Sequence, residues 1–310
     1  MKNLTSSIFV PLEKKYKNQI GYIYAIISQI SFVLGHSLVQ KTSKHLTAFQ
    51  VMYFIGIQVC MYNYIALALD KSSYPSPYAT APRTNKMLLT RAIVGFSGAC
   101  FILSGLTLMP LSEAIVVQMT GPVFTGLLAI CFLKEKYDKT LVLTTIFSFI
   151  GVILISKPAI IFGENDAAKD FPFRTLGIIA TLIGSLITAV TQITIKKLGA
   201  VSSANTTAYY FGFGLATGGP LIQLFKGMNN YYMEDFIWLF FLGISRYISH
   251  IFLNKGFALA SANKVSLMAY SQVPLAYVID IFFLGVALEF YSVLGSIFVF
   301  SCVFILLYKK

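Results

Sequence analysis

The chain has 310 residues, of which 56% are hydrophobic and 12% charged, with a formal net charge of +12. A soluble domain of this size needs far more charge to cover its surface, so a soluble fold is excluded. The basic excess lies in short segments beside apolar runs, which points to membrane orientation and anionic lipid as its cause and away from nucleic acid.

Residues 1–19 form a polar, basic tail without the apolar core of a cleavable signal peptide. From there the apolar runs predict ten transmembrane helices, at 20–40, 47–69, 88–108, 113–133, 140–156, 175–195, 204–225, 236–254, 265–285 and 290–308. The loop 70–87 is polar and carries Pro75, Pro77 and Pro82. Gly121-Pro122 interrupts the fourth helix and predicts a bend there. The acidic loop 157–174 links the two halves. With the N-terminus inside, seventeen Lys and Arg fall on inner segments, Arg91 among them, and six on outer segments. This bias places both termini in the cytoplasm. The plasma membrane and an endomembrane both stay open. The four cysteines sit inside apolar runs without metal-ligand spacing and read as packing residues.

The pattern of the first half returns in the second. Gly256 lies 151 residues after Gly105, and at that offset Ile130 meets Ile281, Phe132-Leu133 meets Phe283-Leu284, Phe147 meets Phe298 and Val152 meets Val303. Each half has five helices, and an odd number turns the second half upside down relative to the first. The fold expected is an all-α polytopic membrane protein built as two inverted five-helix repeats, 20–156 and 175–308, joined by an outer linker at 157–174. Two inverted halves supply two conformations of similar energy, one open to each side.

Several short motifs carry a family resemblance. They are Arg91-Ala92-Ile93-Val94-Gly95, Leu111-Ser112-Glu113-Ala114, Gly121-Pro122-Val123-Phe124, Lys134-Glu135-Lys136 and Gly151-Val152, then Lys264-Val265 and Tyr270-Ser271-Gln272. The chain resembles the drug/metabolite transporter superfamily, in particular its EamA-like branch, over nearly all of residues 20–308. The second half departs from the pattern at Val286, where the family often has an acid, and at Pro274, one residue later than Pro122 in the first half. The resemblance implies ten helices in two EamA-type repeats, a central cavity and movement of small organic solutes.

Polar groups inside the hydrocarbon locate the candidate cavity, because a charge there is costly. Arg246 and His250 are four residues apart on one face of the eighth helix, with Arg246 about 15 Å from the outer end. On the ninth helix Tyr270, Tyr277 and Asp280 share a stripe. Gln29, His36 and Gln40 share a face of the first helix, and Thr181, Ser185, Thr188 and Gln192 a face of the sixth. Ser97, Ser104 and Thr120 complete the expected wall from the third and fourth helices. Each of these has a plainer reading. Arg246 and Asp280 can form a structural ion pair, His36 can be interfacial, and the two tyrosines can be packing. Glu113 can favour a helix N-terminus. Gly214 and Gly218 form a GxxxG that reads as packing, with monomer and homodimer both open. Gly121, Pro122 and Pro274 read as structural or hinge positions.

No nucleotide-binding loop, metal cluster or nucleophile elbow stands in the sequence, so neither an enzyme nor a cofactor is expected. The reading is a secondary transporter of a small organic metabolite with an anionic group, working by alternating access. The alternative is a non-transporting membrane scaffold or regulatory protein that keeps the transporter fold.

Overall fold

The computed structural model describes residues 17–42, 46–69, 82–109, 111–162, 172–227, 229–284 and 289–308. Among these every regular element is helical. The first half holds α1 (Lys17–Thr42), α2 (Ala48–Leu69), α3 (Pro82–Leu108), α4 (Leu111–Gln118), α5 (Gly121–Leu133), α6 (Lys139–Ser156) and the single turn α7 (Ala159–Phe162). The second half holds α8 (Arg174–Leu198), α9 (Ala204–Lys226), α10 (Met233–Leu259), α11 (Ala262–Leu267), a 3-10 turn at Met268–Ser271, α12 (Gln272–Leu284) and α13 (Phe290–Tyr308). Among the described residues seven stretches are long and apolar enough to cross a membrane: α2, α3, Glu113–Leu133, α6, α8, α10 and α13. The protein is an integral, multi-pass membrane protein. Leu69, Ile93, Leu127, Leu224 and Phe304 lie on its outer surface, where lipid accepts them.

Local chemistry starts the helices. Thr47 and Gln50 exchange side-chain and backbone bonds of 3.2 and 3.0 Å at the head of α2, a capping box. Asp138 accepts the Leu141 N–H at 2.9 Å ahead of α6, and Ser203 accepts the Thr206 N–H at 3.0 Å ahead of α9. Pro82 opens α3, where its missing N–H costs nothing and its φ is already helical. The apolar run alone predicts a start at 88. The six extra residues matter, because they draw Arg91 well inside the helix.

The hydrogen-bond ladder of the fourth span is interrupted. α4 stops at Gln118, and Met119 and Thr120 form a turn before Gly121-Pro122 starts α5. Pro122 has no N–H to continue the ladder. The ninth span breaks too, through the 3-10 turn ahead of Gln272. Pro274 sits in the first turn of α12, where a helix tolerates proline.

Element boundaries repeat with the offset read from the sequence. α3 and α10 begin and end 151 residues apart, as do α5 and α12. α1 and α8 begin 157 residues apart, and α2 and α9 156 apart. The change of offset falls at one connection: twelve residues, 70–81, separate α2 from α3, and six, 227–232, separate α9 from α10.

Most packing runs between the halves. α1 lies against α10, α3 against α8, α2 against α9 and α6 against α13. Several of the close backbone approaches are glycine on glycine. A Cβ at Gly56 of α2 would lie 2.8 Å from the Gly212 carbonyl oxygen of α9, and a Cβ at Gly295 of α13 would meet the Gly151 carbonyl of α6. Gly105 faces Gly177, and Gly256 faces Gly21, so these two contacts occupy corresponding places in the two halves. Gly214 and Gly218 serve a different seam, Gly214 against the backbone of Ala92 and Gly218 against the Phe96 ring, both on α3.

The Gly56 contact is backbone on backbone and has no side chain that can yield. Gly56→Ala is expected to cost about 1–3 kcal/mol of stability, as overpacking does. Ile57→Ala, one residue along at a position 40% exposed, is expected to cost much less. Thermal unfolding of the two purified variants in the same detergent checks the contrast.

Candidate functional site

A cavity of about 400 Å³ lies at the centre of the bundle. Its walls come from α1, α2, α3, α8, α9 and α10, and from the broken stretches of the fourth and ninth spans. Gln29, His36, Ser185, Thr188, Gln192, Arg246 and His250 all line it, as do Gly121 and Pro122. The polar stripes of the first, sixth and eighth helices thus meet in one space.

Other candidates lie elsewhere. Tyr270 is fully buried in an apolar cluster with Tyr22, Phe257 and Met268. The Tyr277 hydroxyl accepts the Glu289 N–H at 2.9 Å, at the far end of its span. The Thr120 hydroxyl donates to the Val117 carbonyl at 2.6 Å and closes the turn between α4 and α5. Ser104 is exposed on the outer face of α3, and the Ser97 hydroxyl bonds the Val94 carbonyl of its own helix. The side chains of Asp280 and Gln40 lie outside the described residues. A polar stripe on a wheel therefore mixes cavity groups with groups that satisfy a neighbouring carbonyl.

The main addition is Arg91. Counted from sequence among the inner cations, it stands nine residues into α3, about 14 Å from its start. It is 2% exposed and lines the cavity. Its Nε and Nη1 have no hydrogen-bond partner among the described residues. Gly95, one turn further on, leaves the space its guanidinium fills, since a Cβ there would collide with Nη1. The Arg91-x-x-x-Gly95 spacing in a helix opened by Pro82 was the available signal.

Aromatic faces stand where counter-ions would be expected. The Arg91 guanidinium carbon lies 4.5 Å from the Phe211 ring centroid, and that of Arg246 lies 5.3 Å from Phe32. His250 joins the two, with its ring 4.0 Å from Phe211 and 5.2 Å from Phe32. The order is cation, ring, imidazole, ring, cation, drawn from α3, α9, α10 and α1. Each desolvated cation–π contact contributes on the order of 2 kcal/mol. Gly35 clears room on the α1 side, where a Cβ would lie 2.9 Å from Ser245 Oγ and 3.3 Å from Arg246 Nε. No carboxylate is among the described lining residues.

The two helix breaks border the same space. Gln118 and Met119 line it from the first break, and Ala269 and Gln272 from the second. Ser185 of α8 donates to the freed Gln118 carbonyl at 3.3 Å. Thr125 donates to Gln192 Oε1 at 2.8 Å, and Gln272 Nε2 donates to Gln29 Oε1. These amides and hydroxyls hold the broken backbone in place without protein charge.

The cavity is lopsided. Its lining reaches Ala48, the first residue of α2, and Leu106, two residues from the end of α3. In the other direction it reaches Leu253, six residues before the end of α10, Arg91 on α3, and Ile195, three residues before the end of α8. Beyond that floor Tyr22, Phe257, Ala260 and Met268 pack together. There Lys196 Nζ donates to the Ala260 carbonyl at 2.6 Å. Glu135 accepts the Ala262 and Asn263 amides at 2.8 and 3.0 Å, satisfying the start of α11. At the opposite end Glu113, 2% exposed, holds Arg174 by two bonds of 2.8 and 2.6 Å. The helix-start position expected for Glu113 is observed, and a bidentate ion pair to the second half accompanies it.

Comparison with known proteins agrees with this architecture. Residues 19–157 and 175–308 each match the model of the EamA-like transporter family. The chain is 25% identical over 282 residues to human Solute carrier family 35 member G1, covering 90% of this chain and 76% of that protein. It is 27% identical over 266 residues to a probable transport protein of Saccharomyces cerevisiae, covering 80% and 75%. It is 20% identical over 261 residues to the pseudopaline exporter CntI of Pseudomonas aeruginosa, covering 81% and 82%. A protein of known crystal structure shares the fold, with a TM-score of 0.76 over 93% of this chain and 95% of that one at 16% identity.

The Glu113–Arg174 pair generates a measurable coupling. Glu113→Gln and Arg174→Gln are each expected to lower stability by roughly 1–3 kcal/mol, the cost of leaving a partly buried charged group without its bonds. The double variant is expected to be no less stable than the worse single one. Thermal unfolding of all four proteins closes the cycle, and additive losses would show that the pair contributes nothing.

Proposed function

Because the chain belongs to the EamA-like transporter family, and is a membrane transporter of that kind with a small-molecule substrate, we propose that it carries an organic metabolite with an anionic group by alternating access through the central cavity. The observation that supports this reading is Arg246, at the middle of a membrane-spanning helix with a cation–π contact and no carboxylate partner among the described residues. An unpaired cation in such a place is costly unless a ligand supplies the missing charge. Gln29, Gln192, Gln272 and Thr188 offer neutral donors around it. A scaffold has no need of such a group.

Ten spans in two inverted five-helix repeats, 20–156 and 175–308, complete the proposal, with both termini cytoplasmic and 157–174 outside. The family match to two segments and the 151-residue register of the boundaries support it. In this orientation the cavity opens outward, and the packed floor around Phe257 and Ala260 closes the cytoplasmic side. Asp280, Tyr270 and Tyr277 remain candidates for contact in the inward-open state.

Arg246→Ala is expected to cut uptake by reconstituted vesicles about 10–100-fold, and Arg246→Lys to restore only part of it, since an ammonium lacks the forked donor pair. Uptake unchanged in Arg246→Ala would refute the anchor. Topology is checked separately. With the native cysteines replaced, a cysteine at Lys136 should react with an impermeant thiol reagent only after the cytoplasmic face is opened, and labelling in intact cells would reverse the orientation.

A further inference from the structure

We infer that the cavity selects a small organic dianion, with one anionic group on Arg246 and the other on Arg91. The inference rests on the anion-carrier reading above and adds to it the number and spacing of the substrate's charges.

Three observations carry it. First, the cavity holds two guanidinium groups, and no carboxylate is among its described lining residues. A single anionic group would leave one buried cation uncompensated, the more expensive state in a low-dielectric interior. Second, both cations are backed by ring faces, which hold the guanidinium plane yet leave its N–H edge free to bond. Nε and Nη1 of Arg91 are buried and have no acceptor among the described residues, which leaves both open to an acceptor brought by a ligand. Third, the two cations are spaced. Arg91 and His250 both touch the Phe211 ring. Arg246 is one turn from His250 on α10, about 6 Å along the axis. One carboxylate or phosphate does not bridge that gap together with the thickness of the intervening rings. Two anionic groups on a short carbon chain do.

The register of the halves places the two cations one turn out of exact correspondence, since Arg91 itself matches Leu242. At the 151-residue offset between α3 and α10, Arg246 corresponds to Gly95, one turn from Arg91. Each half contributes one cation from its third span, and the two point into one space from opposite sides.

The test uses the full-length protein in lipid nanodiscs and calorimetric titration with succinate, glutarate and adipate, each beside its half-amide, and with glycerol 3-phosphate. At least one diacid is expected to bind about 100-fold more tightly than its half-amide, the value of one additional charge-assisted forked contact. In Arg91→Gln that preference is expected to shrink to about threefold or less, with Arg91→Lys intermediate. Should Arg91→Gln fail to fold, Gly95→Ala displaces the same guanidinium and is expected to erode the preference in the same direction. Equal binding of diacid and half-amide, a preference that survives loss of Arg91, or glycerol 3-phosphate binding as well as the best diacid would each overturn two-point binding. If half-amides bind and Arg246→Ala abolishes that binding, the anion-carrier reading stands while this inference falls. If no anion binds at all, both fall.

Discussion

Two guanidinium groups inside a membrane protein, backed by aromatic rings, set the terms for the rest of this structure. A charge in hydrocarbon needs compensation, and a carboxylate beside each arginine would supply it permanently. Ring faces supply only part of it and leave the hydrogen-bonding edge unused. The surroundings then have to hold two long cationic side chains still by shape. Gly95 and Gly35 open the space for them, and Phe211, His250 and Phe32 fill the gap between them. Every helix that contributes a ring or a cation is thereby fixed in rotation about its own axis.

The breaks in the fourth and ninth spans follow from the same constraint. A cavity in a tight bundle is easier to wall where helix ladders are interrupted, and backbone groups freed inside a bilayer are tolerated where they are buried in protein or line such a space. Here the exposed carbonyls meet Ser185, and the glutamines on either side tie the flanking turns to α8 and α1. Pro122 and the 3-10 turn before Gln272 reach the same outcome by different local means, one by removing a donor and the other by tightening the coil.

Much of this was legible in the chain itself. Long apolar runs gave the helical class, and the offset between Gly105 and Gly256 reappears in helix boundaries on both sides of the cavity. The polar stripes led to Gln29, Thr188, Gln192, Arg246 and His250 because charge and amide in hydrocarbon have few places to go. Arg91 was missed for a physical reason. Lysines and arginines close to a span usually snorkel to the interface, so hydropathy sets the helix start after them. Arg83 and Lys86 do stand near the start of α3, and only Arg91 continues inward. Tyr270 and Ser104 are the opposite case, since neither lines the cavity. A hydroxyl can bond its own helix or sit in an apolar cluster, and neither outcome leaves a mark in sequence spacing.

The glycine contacts have a mechanical consequence. Gly21 against Gly256 lies near the start of α1 and the end of α10, and Gly105 against Gly177, its repeat counterpart, lies near the end of α3 and the start of α8. If the halves rock against each other as proposed, the same backbone contact tightens at one face while it loosens at its twin. The apolar seam then favours neither state. What biases the balance is the pair of unlike latches, Glu113 with Arg174 at one face and Glu135 with the start of α11 at the other. Under the proposed rocking, the resting poise would be written in a handful of charged side chains remote from the cavity, and a lineage could retune which way the protein faces at rest without touching what it binds.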